Sequence, residues 1–162
     1  MSIRTSFAIL ASIGLLSACA PQHPSVHMAP TLAGGSPTGT TGGPRAFRAL
    51  LHSQGTTVTG SAEMRPGQRP GVTVATLNVV GGTAGAEYGW AVHLGQCGAD
   101  GDVLAEASSY PTVTVDSGGA ASTIATLYID SPAGGNYHVT VHASHALTSP
   151  VVSCGELEKV GT

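Results

Sequence analysis

From residue 46 onward, apolar and polar side chains alternate in short runs separated by turns that contain glycine. In one run Val58, Gly60, Ala62 and Met64 share one face, while Thr57, Thr59, Ser61 and Glu63 share the other. That period of two belongs to a half-buried strand, because successive side chains of an extended chain point to opposite faces. The same pattern fits 46–52, 72–80, 88–94, 112–115, 120–127, 137–143 and 151–156, so about eight strands are expected. Asp116, Ser117, Gly118 and Gly119 supply a turn between two of them. Short strands in such a series predict an all-β barrel or sandwich.

The first 44 residues follow a different rule. Arg4 precedes an apolar run over 7–16, the charged start and short hydrophobic middle of a secretory signal, too short to span a bilayer. The run ends in Leu16, Ser17, Ala18 and Cys19, which resembles the lipobox of bacterial lipoproteins. That resemblance implies cleavage after 1–18, a covalent lipid on Cys19, and two or three acyl chains that hold the protein to a membrane. Ala20, rather than Asp, follows the cysteine, as in lipoproteins passed to the outer membrane of two-membrane bacteria. The expected location is the cell envelope, lipid-anchored, at the outer membrane or its periplasmic side. Residues 19–44 are rich in Gly, Pro, Ser and Thr and read as a flexible tether with a reach of roughly 25–30 Å. His23, His27 and Met28 lie in it; these residue types suit copper, but in a polar linker they read as solvated. The β domain is expected over 45–158, with 159–162 as a C-terminal tail.

Composition narrows the class. The chain has 162 residues, 41% hydrophobic but only 9% charged and 4% aromatic, with 23 Gly and 10 Pro. That leaves room for one domain, made of turns and strands of small residues rather than helices. The net charge of -3 conceals an asymmetry, since no Lys or Arg lies between Arg69 and Lys159. That stretch carries Glu87, Asp100, Asp102, Glu106, Asp116, Asp130, Glu156 and Glu158. Phosphate backbones and anionic lipid faces both require clustered cations, so nucleic-acid binding and flat membrane adsorption are excluded. The lipid anchor is the expected membrane contact, and an envelope protein is the remaining candidate partner.

The order of segments resembles the copper/zinc superoxide dismutase fold, a Greek-key β-barrel. Residues 47–60, reading FRALLHSQGTTVTG, are similar to its opening hairpin, and Gly89, Trp90, Ala91, Val92 and His93 resemble the strand that carries a His-x-His copper pair. Val139, Thr140, Val141 and His142 resemble the strand with the last copper histidine; Ser153, Cys154 and Gly155 resemble the closing strand. The resemblance covers roughly 46–158. It implies a disulfide between Cys154 and Cys97, which stands shortly after the His-x-His strand. Cys19, consumed by lipid, leaves these two as the intramolecular pair.

Much of the family's metal cage is missing. Ala91 replaces the first histidine of the pair, and 94–112 contains no histidine, so the zinc loop is absent and zinc is not expected. His93 and His142 remain as copper ligands, with His145 as a third if its loop folds back. Alternation places His93 with Ala91, and His142 with Thr140 and His138, projecting outward from the barrel wall. His138 is set aside, because four residues along a strand span roughly 13 Å. The family's anion-attracting Arg before the closing strand is also absent, and eight carboxylates repel rather than steer superoxide. The expected function is an anchored domain with weak copper binding and no efficient dismutase activity. The alternatives are a metal-free interaction module of the envelope and a dismutase with an atypical copper-only site.

Overall fold

The computed structural model describes residues 45–160. The expected signal segment, the lipidated Cys19 and the tether lie outside the described residues, as do 161 and 162. The chain forms β1 (Ala46–Ser53), β2 (Thr59–Pro66), β3 (Thr73–Val80), β4 (Glu87–Tyr88), β5 (Trp90–Leu94), β6 (Val113–Thr114), β7 (Ala121–Leu127), β8 (Tyr137–His142) and β9 (Val151–Val160). One turn of 3-10 helix at Ala107–Ser109 is the only helical element among the described residues, and none is long and apolar enough to cross a membrane.

Seven strands pair in the order β5-β8-β9-β1-β2-β3-β7, and β4 pairs with β6 in a small second sheet. The large sheet curls so that its two ends face each other. Phe47, Leu51, Met64, Leu77 and Leu127 from one half meet Trp90, Val92, Val139 and Val141 from the other, with Val113 and Val115 closing the gap. The expected all-β architecture is present, and each run that alternates in sequence buries its apolar face in this core. The turn at 116–119 forms as its residue types require: Asp116 Oδ1 accepts the N–H of Gly118 at 2.8 Å and of Ala120 at 3.0 Å.

Two boundaries differ from the sequence pattern. The run 88–94 breaks at Gly89, whose N–H is spent on Ser144 O at 2.7 Å, so nine strands replace the expected eight. β9 runs to Val160 instead of ending at Glu156, because Ala46 pairs with Val160 and Phe47 with Lys159. The two strands pair at both ends of β1, Ala46, Phe47 and Arg48 with Val160, Lys159 and Glu158, and His52 and Ser53 with Cys154 and Ser153, so Lys159 and Val160, expected in a tail, belong to the sheet.

Candidate metal centre

β5 and β8 pair antiparallel with Trp90 opposite Val141, Ala91 opposite Thr140, Val92 opposite Val139 and His93 opposite His138. Trp90 and Val92, on the even face of β5, fill the core. The other face gathers His93, His138, Thr140 and His142, and Ala91, directly across from Thr140, leaves the space above that hydroxyl free of a further imidazole. These side chains were expected on an outer wall open to solvent. They are instead covered: His138 is 1% exposed, Thr140 6% and His142 5%, with His93 half-buried. Strand β8 is buried on both faces, one by the core and one by the loops 95–112 and 143–150.

Each loop reaches the site through a backbone carbonyl. His93 Nδ1 lies 2.9 Å from Gly101 O, and His142 Nδ1 lies 2.7 Å from Ser149 O. A carbonyl only accepts, so both Nδ1 atoms carry hydrogen and donate. In a neutral imidazole the other nitrogen then keeps its lone pair. Both Nε2 atoms point at one atom, Thr140 Oγ1, each at 3.0 Å. The hydroxyl has one hydrogen and can satisfy one of the two lone pairs; the second faces oxygen with nothing between. An unmet buried acceptor costs about 1–3 kcal/mol. Fixing Nδ1–H on a carbonyl and turning Nε2 inward is also how proteins prepare histidine for a metal.

A second proton would relieve the bridge by making one ring cationic. Burial opposes this at His93, holding its imidazole below the ordinary 6.5, with the neighbouring His138 pushing the same way and the Gly101 carbonyl pushing back. The folded protein therefore favours neutral His93 more than the unfolded chain does. Its contribution is complete above pH 6.5 and is lost as pH falls through the lower folded value. The urea midpoint should drop between pH 7.5 and 5.5, and His93→Gln should flatten that dependence; parallel curves for the two proteins would contradict it.

The loops are seated by glycines where a side chain has no room. Leu94 donates to Asp102 O at 2.9 Å and Leu104 to Val92 O at 2.7 Å, so 101–104 runs along the free edge of β5. A Cβ on Gly101 would lie 1.8 Å from Leu94 O. On the other side Gly89 accepts from His142 N at 2.8 Å, and a Cβ there would lie 2.7 Å from His145 O. The second site loop thus rests on bare backbone.

Of the expected ligands, His93 and His142 come together, with ring centroids 6.5 Å apart. His145 is exposed in its loop and makes no ring contact with either. His138, set aside for its distance from His142 along β8, is the direct cross-strand neighbour of His93; the rings stack at 5.2 Å with planes 18° apart. Its Nδ1 is buried without a partner. Among the described residues no three His, Cys, Asp or Glu side chains converge as a metal cluster. Thr140, the centre of the arrangement, carried no signal in the sequence beyond its place two residues before His142. The disulfide between Cys97 and Cys154 is present. A groove of about 970 Å³ lies elsewhere, between Arg48, Leu50, His52, Asn78, Glu156 and Glu158. It is an open concavity of the sheet's outer face and holds none of the three clustered imidazoles.

No protein-family model matches the chain, and no curated protein matches it.

Proposed function

We propose that this chain is a lipoprotein, anchored in the cell envelope through Cys19, whose β domain is similar to the copper/zinc superoxide dismutases and holds one copper ion between His93 and His142. The observation that carries this reading is the pair of Nε2 lone pairs aimed at a single hydroxyl, each forced by a carbonyl on Nδ1. The donor set suits copper better than zinc, which asks for four tetrahedral ligands.

His93 and His142 would hold the ion, Gly101 and Ser149 fix their orientation, and Thr140 offers a neutral oxygen beside it. Bound copper supplies one-electron chemistry. Around it the exposed Asp100, Asp102 and Glu106 draw cations in and repel superoxide. Capture or transfer of copper fits this field better than turnover of an anion. A dismutase rate no higher than that of the same amount of free copper is expected. The test is metal analysis after incubation with one equivalent of copper: stoichiometric copper in the wild type and its loss in His142→Ala support the reading, and equal traces in both overturn it.

The wide groove on the outer face favours a second reading, a docking module for an envelope protein. Recovery of a reproducible partner from membrane extract, lost on charge reversal at Arg48, supports it; no reproducible partner counts against it.

A further inference from the structure

We propose that the centre at His93, Thr140 and His142 selects the oxidation state of its metal, taking Cu(I) in preference to Cu(II). This rests on the copper reading above and adds the form of the ion. The first reason is the number of donors. Two imidazole nitrogens and one hydroxyl converge, and neither remaining histidine of the region adds to them. His145 is exposed in its loop. His138 is closer, but its ring stacks on His93 with planes 18° apart. An imidazole lone pair lies in its ring plane, so the lone pairs of two stacked rings run side by side and do not converge on one point. Cu(II) prefers four donors in a tetragonal array, whereas Cu(I) is satisfied by two or three.

The second reason is charge. Among the described residues every donor that meets in the centre is neutral, two imidazoles and a hydroxyl, and Cys154, opposite Thr140 in the ladder, is locked in a disulfide. Thr140 and His142 are buried. The hydration lost on entering a low-dielectric site grows with the square of the charge, so a divalent ion forfeits about four times what a monovalent one does. Without an anionic ligand to compensate, the doubly charged ion is penalised most. Exposed carboxylates on 100–106 attract either ion as it arrives but do not touch it where it is held.

The full-length protein tests this under anaerobic conditions. Cu(I) is titrated in competition with a chromophoric bicinchoninate chelator, and Cu(II) in a parallel titration against nitrilotriacetate. Expected is one equivalent of Cu(I) held at least a hundredfold more tightly than Cu(II), with both lost in His93→Gln and His142→Ala and Cu(I) retained in His138→Gln. Cu(II) held as tightly as Cu(I), and still lost in His142→Ala, overturns the preference while leaving the copper reading in place. Loss of Cu(I) in a folded His138→Gln protein overturns the two-imidazole account of that preference. Failure of either ion to bind in a His142-dependent way overturns both proposals.

Discussion

Replacing Trp90 with alanine is expected to lower the unfolding free energy by about 3–5 kcal/mol. Trp90 is fully buried at the start of β5 and is the chain's only tryptophan. Its ring sits edge-on to Tyr110 with centroids 5.2 Å apart, and its Nε1 donates to Pro111 O at 2.9 Å. Truncation therefore removes a large apolar volume from between the two ends of the curled sheet and leaves the Pro111 carbonyl without its partner. Trp90→Phe should cost less, since the ring volume largely remains and only the polar end is lost. Urea unfolding followed by far-UV circular dichroism, rather than the fluorescence that the substitution abolishes, measures both. A cost under about 1 kcal/mol for alanine would mean that the two halves of the sheet are not packed on one another through this side chain.

The consequence reaches the histidine cluster, because the segment carrying Tyr110 and Pro111 belongs to the loop that delivers Gly101 to His93. Tyr110 donates its hydroxyl to Leu104 O at 2.6 Å, and burial pushes its phenol well above the ordinary range, so it stays neutral and in place. Core and site share this loop.

Strand positions were legible because their information is local. In β1 Phe47, Ala49 and Leu51 turn inward while Arg48 and Leu50 turn out, and nothing beyond the chain's own alternation is needed to see it. Alternation does not say what covers the second face. β8 has polar residues at 138, 140 and 142, which reads as a wet face; the structure buries them because two loops without strong periodicity fold over it. The end of β9 was hidden for a related reason. Leu157 continues the buried row, but Lys159 marks a tail by composition and becomes strand only because β1 lies alongside.

The site divides the same way. That His93 and His142 share a face follows from parity along two strands. That His138 stands beside His93 depends on cross-strand register, which places 93 against 138 and 91 against 140. Distance along one strand separates His138 from His142 and says nothing of a residue on the neighbouring strand. Thr140 was less legible still: a threonine between valines in a strand is a β-former by propensity, and its role arises only once two imidazoles turn toward it.

Removing the disulfide is expected to cost about 4 kcal/mol, because Cys97 and Cys154 are 57 residues apart and their bond denies the unfolded chain the freedom of that loop. A Cys97→Ser, Cys154→Ser double variant should therefore show a urea midpoint well below the wild type. On the copper proposal, the affinity for that ion should fall as well, by tenfold or more, the usual penalty for disturbing what orients a metal-ligating histidine. Cys154 is the ladder partner of Thr140 on one side and of His52 on the other, so the bond ties the loop after β5 down beside the centre. Four residues beyond Cys97 the same loop offers Gly101 O to His93. Two ladder-like bonds also hold this loop, Leu94 N to Asp102 O and Leu104 N to Val92 O. They set the contrary outcome: a double variant that loses stability but keeps wild-type copper affinity would show that the edge of β5 alone orients His93, with the disulfide acting on the unfolded chain and nowhere else.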